Sequence, residues 1–117
     1  MPTTIVLQQA GPLPLSTTFS LPPSATAAVL VVYGSVWTQN TNVMVGFNVS
    51  VNGTVLGEAT VFSNGKSTHR QVTPRAIPLQ DDAAAASSTP EAMTLQLTAG
   101  PNTVTDENDS YLVLLHH

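Results

Sequence analysis

The clearest pattern in the sequence is a strict alternation of residue types between positions 43 and 51. Valine or phenylalanine occupies every odd position, and uncharged residues of other types lie between them. A period of two predicts a β-strand with one buried face. Asn52-Gly53 follows, which is a strong signal for a β-hairpin. We therefore predict a hairpin whose second strand spans residues 54–62.

The hydrophobic pattern also predicts the register of this hairpin. A two-residue loop at Asn52-Gly53 would place Phe47 opposite Glu58, an unfavourable pair in a core. A three-residue loop that includes Val51, with Gly53 in the left-handed conformation, aligns apolar residues instead: Val49 with Val55, Val45 with Ala59 and Val43 with Val61. Because a shift of one residue exchanges the two faces of a strand, we predict the three-residue loop.

Shorter patterns of the same kind predict further strands. Residues 27–37 do not alternate at their start, which predicts a central strand buried on both faces. Residues 69–72 and 77–79 are short and interrupted by Pro74 and Pro78, which favours positions at sheet edges. The other predicted strands span residues 3–9, 15–21, 93–97 and 110–116.

Eight or nine short strands predict the fold class. It is all-β: an antiparallel β-sandwich, jelly-roll-like, that forms a single domain over residues 1–117. The 14 Val and 16 Thr residues favour this class, because β-branched side chains suit a pleated sheet. Residues 1–14 are either an extended arm or the first edge strand. Residues 81–90, rich in alanine and serine, are a loop or one helical turn.

Charge is scarce along the chain. Only 9% of residues are charged, and the first of them is Glu58. Three basic residues and a net charge of −4 argue against nucleic-acid binding, which needs Lys and Arg to displace counterions. The apolar runs are too short to cross a bilayer, so no membrane insertion is expected. The first residues lack the features of a secretory signal, so we expect synthesis in the cytoplasm and a final location on a virion or an extracellular surface.

The three basic residues lie within ten positions, Lys66, Arg70 and Arg75, with His69 among them. Arg70 and His69 offer hydrogen-bond donors to a carboxylate, a sugar hydroxyl or a partner subunit. The alternative is that these charges protect an exposed edge strand from aggregation. His69, Arg70 and Arg75 are therefore candidates for recognition or subunit contact.

Trp37 is the only tryptophan, and it lies where the predicted central strand gives way to a polar loop. A tryptophan in such a position can stack on a sugar ring or anchor an interface. The alternative is that it caps the core. Trp37 joins the candidates for recognition or subunit contact.

An acidic segment precedes the last predicted strand. Asp106, Asn108 and Asp109 present alternating oxygen ligands of the kind that bind Ca²⁺, and Asp81-Asp82 could complete such a site. The spacing differs from that of an EF-hand loop. Asx residues also form ordinary turns, because their side chains bond to their own backbone. A third interpretation pairs the acidic segment with one of the arginines.

The sequence carries no signature of an enzyme. It contains no nucleophile elbow, no phosphate-binding Gly-rich loop and no HExxH motif. It has no cysteine, which excludes a disulfide framework and a thiolate metal site. We predict that the protein is not an enzyme, and that it has no cofactor other than the candidate calcium ion.

Several short motifs occur in an order that resembles small all-β modules of bacteriophage virion, tail-fibre and bacterial surface proteins. The resemblance implies a non-enzymatic structural or adhesive domain that assembles as a homotrimer. The acidic turn before the last strand also resembles that of calcium-dependent bacterial sugar-binding lectins. The motifs are Gly34-Ser-Val-Trp37, Val51-Asn-Gly53, Ser67-Thr-His69-Arg70, Ala99-Gly100-Pro-Asn102 and Thr105-Asp-Glu-Asn-Asp109-Ser-Tyr111.

Two hypotheses follow. The first is a structural or adhesive protein of a virion or cell surface, of the capsid-decoration or tail-accessory type, that associates with itself and with a capsid, tail or cell-surface protein. Its scarcity of charge is typical of a surface covered by another subunit. The second is a carbohydrate-binding lectin, calcium-dependent in one version, whose partner is a glycan.

Overall fold

The computed structural model describes residues 2–21, 27–79 and 91–117. These residues form antiparallel strands in two sheets that pack as a sandwich, which confirms the predicted all-β class. Within them, no helix is long and apolar enough to span a membrane. The loop or helical turn predicted for residues 81–90 lies outside the described residues. The strands are β1 (Thr3–Ala10), β2 (Leu15–Leu21), β3 (Val29–Val36), β4 (Val43–Val51), β5 (Thr54–Ser63), β6 (Arg70–Gln71), β7 (Arg75–Pro78), β8 (Glu91–Ala99) and β9 (Ser110–His116).

The two sheets share no strand. In the first sheet, the order β1-β9-β3 continues to β6 and β7, which pair with successive parts of β3. In the second sheet, the order is β2-β8-β4-β5. Strand β3 is therefore central, as predicted from its apolar sequence, and the two short proline-flanked strands β6 and β7 lie at an edge, where proline is tolerated.

The core lies between the two sheets and is built from one face of each strand. Met93, Leu95 and Leu97 of β8 all point inward, as their alternation predicts. The first sheet contributes the inward side chains of β3 and β9. The largest fully buried side chains are Tyr111, Phe47, Leu30, Leu95, Leu97, Leu115, Val32, Val36, Val45, Val49, Val72 and Val113.

Strand β3 differs from its prediction in one respect. Its inward residues are buried, but Val29, Val31, Tyr33 and Ser35 are only partly buried on the outer face of the first sheet. The prediction that this strand is buried on both faces is wrong. The lack of polar alternation therefore marks a partly exposed apolar sheet face, whose side chains are shielded from the sides by the neighbouring strands.

The β4–β5 hairpin turns differently from its prediction. Asn52 and Gly53 have φ angles of 53° and 83°, and Val51 pairs directly with Thr54, which makes a two-residue turn. The predicted three-residue loop is wrong. A β-bulge beyond Val49 then shifts the register, so that Phe47 lies opposite Ala59 rather than Glu58. None of the three predicted pairs forms, because Val45 lies opposite Val61, Val49 opposite Gly57 and Val43 opposite Ser63.

Candidate functional site

Trp37 and His69 lie side by side at one end of the first sheet. Val36 pairs with Arg70, and the next positions outward along the two strands are Trp37 and His69. Their ring centroids are 5.8 Å apart, and the ring planes are tilted by 43°. Backbone hydrogen bonds between Trp37 and Val104 hold the tryptophan against the loop that leads to β9. Strand pairing therefore brings together two of the predicted recognition residues.

A fully buried carboxylate, that of Asp109, lies behind this pair. Its Oδ1 accepts hydrogen bonds from the hydroxyl of Ser35 at 2.8 Å and from Nδ1 of His69 at 2.7 Å. Its Oδ2 accepts one from the backbone N–H of Asp106 at 2.9 Å. A buried charge is costly unless it is hydrogen-bonded and paired. These three donors satisfy that condition, so the Asp109 carboxylate helps to hold the local structure together.

The rest of the acidic segment forms a turn of the Asx type. The backbone N–H of Asn108 donates to Oδ1 of Asp106 at 2.8 Å, and the N–H of Asp109 donates to the carbonyl of Asp106 at 3.1 Å. The carbonyl of Asp109 accepts a hydrogen bond from the N–H of Gly11 at 2.7 Å, which joins the turn to the end of β1. Oδ1 of Asp106, one of the predicted calcium ligands, is therefore already hydrogen-bonded to the backbone of the turn.

His69 has a defined orientation because Nδ1 donates to Asp109. This hydrogen bond raises the pKa of His69 above its ordinary value of 6.5, burial opposes the shift, and the charges of Asp109 and Asp106 support it. The other ring nitrogen, Nε2, lies 3.9 Å from Oδ2 of Asp106, and both side chains are 38% exposed. The group available to a ligand is therefore Nε2.

His69, Asp106 and Asp109 could together hold a metal ion, because one ligand atom from each lies within 4.8 Å of the others. A set of one imidazole nitrogen and two carboxylates suits Zn²⁺ better than Ca²⁺, which takes six to eight oxygen ligands. The predicted ligands were Asp106, Asn108 and Asp109, and the structure has His69 in the group instead of Asn108. Asn108 is exposed, and its backbone N–H forms part of the turn. Asp81-Asp82 lies outside the described residues.

Arg70 points away from His69, toward the other sheet. Its Nε donates to the hydroxyl of Ser63 at 3.3 Å, and its Nη2 donates to Oδ1 of Asn64 at 2.7 Å. Adjacent residues on a strand face opposite sides, which explains the separation from His69. Arg70 ties the ends of the two sheets together, and the carboxylate of Asp109 is bonded by His69 rather than by Arg70.

Arg75 lies on the edge of the sandwich, away from Trp37. Its Nη1 donates to the carbonyl oxygen of Glu58 at 3.4 Å, across the gap between β7 and β5. The same region carries exposed apolar side chains of the second sheet, which include Met44 and Phe62. The structure therefore places Arg75 with Glu58 and Phe62 on a surface separate from the Trp37–His69 pair.

A groove of about 410 Å³ lies on the outer face of the first sheet. Tyr33, two positions before Ser35 and four before Trp37, lines it. No charged side chain lines it. Sequence reasoning missed this groove, although the placement of Tyr33, Ser35 and Trp37 at every second position was a signal for one shared face. The remaining lining residues are Gln8, Gln9, Ala10, Gly34, Gln71, Ser110, Tyr111 and Leu112.

No protein-family model matches the sequence, and no curated protein matches it. A search of solved structures does return matches. One is described as a carbohydrate-binding module, CBM36, in complex with calcium and xylotriose. The alignment covers 99% of this chain and 98% of that chain, with a TM-score of 0.41 and 11% sequence identity. A similarity at this level carries no argument about function.

Proposed function

We propose that this protein is a non-catalytic carbohydrate-binding domain, and that a neutral oligosaccharide binds along the outer face of the first sheet. The observation that carries the proposal is the groove around Tyr33, which no charged side chain lines. Half-buried Trp37 follows four residues later in the chain, packed against exposed His69.

The groove offers the groups that a saccharide needs. Sugar hydroxyls are both donors and acceptors, and the side-chain amides of Gln8 and Gln71 provide both functions. The hydroxyl of Ser110 adds a further donor and acceptor. Because no charged residue lines the groove, neither an anionic nor a cationic ligand gains a partner there. These features favour a neutral, hydroxyl-rich ligand.

Two aromatic side chains supply apolar contact for sugar rings. Tyr33 lies on β3, and Trp37 directly follows the end of that strand on the same side. Four residues of extended chain separate the two by about 13 Å. One sugar ring cannot reach both side chains. The spacing therefore favours an oligosaccharide whose separate units contact Tyr33 and Trp37.

The buried Nε1 of Trp37 limits how this residue can bind. Within the described residues it has no hydrogen-bond partner, and it is inaccessible to solvent. A ligand can therefore contact the indole ring, but it cannot accept a hydrogen bond from the N–H. The neighbouring Nε2 of His69 is the polar group of this pair that a sugar hydroxyl can reach, because Nδ1 is held by Asp109.

A glycan array with neutral and acidic oligosaccharides tests the proposal. We expect binding to neutral glycans, a loss of about tenfold or more in affinity for Tyr33→Ala by isothermal titration calorimetry, and a smaller loss for Gln71→Ala. Thr18→Ala, on the exposed outer face of the second sheet, is the matched control and should bind normally. Absence of glycan binding, or binding that Tyr33→Ala leaves unchanged, would contradict the proposal.

The calcium-dependent version of this function is a separate prediction. Its support is limited to the two carboxylates of Asp106 and Asp109, oxygen ligands of the kind that Ca²⁺ takes, whose ligand atoms lie within 4.8 Å of each other and of His69. If it holds, EDTA abolishes glycan binding and Ca²⁺ restores it. If the groove binds by direct contacts alone, EDTA leaves the affinity unchanged. The virion or cell-surface location stays a prediction from the resemblance described above, and carbohydrate binding would serve attachment in either place.

A further inference from the structure

The imidazole of His69 uses only one of its two ring nitrogens inside the protein. Nδ1 donates to the buried carboxylate of Asp109 at 2.7 Å, so Nε2 carries the lone pair of the neutral ring. In the part of the chain that the structure describes, Nε2 has no hydrogen-bond partner. A histidine that ligates a metal ion is held in this way, because it binds the ion through one nitrogen and donates its other N–H to a carboxylate or a carbonyl.

A second ligand atom lies next to Nε2. Oδ2 of Asp106 is 3.9 Å away, and the backbone N–H of Asn108 donates to Oδ1 and so orients the carboxylate. Two ligands about 2.1 Å from a tetrahedral Zn²⁺ ion lie about 3.4 Å apart, so the two atoms need to approach by about 0.5 Å. The side chains of His69 and Asp106 are both 38% exposed, which permits so small a movement.

Asp109 orients the site without ligating the ion. The two nitrogens of an imidazole point in different directions, so an ion on Nε2 lies on the far side of the ring from the Asp109 oxygen that Nδ1 contacts. Ligation by all three residues would require Nδ1 to give up this hydrogen bond. The fully buried carboxylate of Asp109 therefore fixes the ring, and its negative charge favours a cation nearby.

Trp37 restricts the histidine from a second side. The two ring centroids are 5.8 Å apart, and backbone hydrogen bonds to Val104 hold the tryptophan in place. A side chain that is already held in one orientation loses less conformational entropy when it binds a ligand. The ring of His69 is thus positioned for an ion before the ion arrives.

We propose that His69 and Asp106 bind a Zn²⁺ ion through Nε2 and Oδ2, with water in the remaining coordination positions. An imidazole nitrogen and a carboxylate oxygen are both common Zn²⁺ ligands, whereas Ca²⁺ takes six to eight oxygens. Ions of the same class, such as Ni²⁺ and Cu²⁺, also accept imidazole. With two protein ligands, the site binds more weakly than a structural zinc site with four.

Isothermal titration calorimetry with zinc chloride tests the site at about pH 8, where protons compete less for the imidazole. The adjacent His116 and His117 also carry imidazoles, so the protein titrated is the His116→Gln/His117→Gln variant. We expect one site, whose affinity falls about tenfold or more with His69→Gln or Asp106→Asn. Asp106→Asn keeps the acceptor of the turn, and Asn108→Ala keeps the donor. Asn108→Ala is the matched control and should bind zinc normally.

NMR of the ring nitrogens of His69 identifies the ligating atom. We expect Zn²⁺ to shift the Nε2 resonance while Nδ1 keeps its proton and its bond to Asp109. Absence of zinc binding, or zinc binding that His69→Gln leaves unchanged, would overturn the proposal. So would ligation through Nδ1, or tighter binding of Ca²⁺ than of Zn²⁺. Because no glycan is present, these outcomes are independent of the glycan-binding experiment.

Discussion

Nδ1 of His69 lies 2.7 Å from Oδ1 of Asp109, a carboxylate with no solvent exposure. The two residues are 40 positions apart in sequence and join the start of β6 to the turn before β9. The histidine is itself 38% exposed, so the pair connects the interior of the sandwich to its surface. It also fixes the ring that contacts Trp37.

This pair predicts that stability depends on pH. The hydrogen bond to Asp109 raises the pKa of His69 in the folded protein above its ordinary value of 6.5. The stabilisation is therefore complete below about pH 6.5 and is lost as the pH rises through the folded-state pKa. NMR titration of the His69 ring should give the raised pKa. His69→Gln should lose this part of the pH dependence of unfolding, and His116→Gln should retain it. Identical pH profiles for His69→Gln and the wild type would contradict the assignment.

The buried carboxylate should be essential for stability. Asp109→Ala leaves Ser35, His69 and the backbone N–H of Asp106 without their acceptor. We expect the free energy of unfolding to fall by about 3 kcal/mol, measured by urea denaturation. Glu107→Ala removes an exposed acid from the same turn and should change it by less than about 0.5 kcal/mol. Equal effects of the two substitutions would show that Asp109 has no special role.

The fold could be predicted from local patterns because most strands carry a period of two. The alternation in β4 and in β8 gave their inward faces correctly, since burial of one face determines orientation. The hairpin register could not be predicted, because the β-bulge beyond Val49 creates a register, with Phe47 opposite Ala59, that neither regular loop length produces. The partly exposed outer face of β3 was also missed, because a sequence does not show which sheet faces remain uncovered.

The candidate site could be predicted only in part. The proximity of Trp37 and His69 depends on the pairing of β3 with β6, which brings together positions 32 residues apart. Arg70 was grouped with His69 because the two are adjacent in sequence, yet alternation along a strand sends them to opposite sides. The same alternation, applied to residues 33–37, would have predicted that Tyr33 and Trp37 face the same side of the sheet.

Gly34 is predicted to be intolerant of any side chain. It points inward on β3, and an added Cβ would meet the ring of Tyr111 and lie 2.9 Å from Cε1 of Phe47. The two rings form an edge-to-face pair with centroids 5.5 Å apart. Gly34→Ala should therefore lower the free energy of unfolding by about 1–3 kcal/mol, measured by thermal or urea unfolding. Gly65→Ala serves as the control, because its added Cβ would meet only the side chains of Thr68 at 3.2 Å and Arg70 at 4.0 Å, both of which can move. Equal stability of both variants would mean that the two rings can separate at little cost.

Trp37 should tolerate phenylalanine better than alanine. Its Nε1 is buried and, among the described residues, without a partner, so Trp37→Phe removes an unsatisfied donor that costs about 1–3 kcal/mol. This gain should offset the smaller apolar area of phenylalanine, and thermal unfolding should show little change. Because the ring supplies contact rather than a hydrogen bond, Trp37→Phe should also keep most of the glycan affinity. Trp37→Ala should lose both stability and affinity. A loss of affinity in Trp37→Phe as large as in Trp37→Ala would mean that the indole N–H contacts the ligand directly.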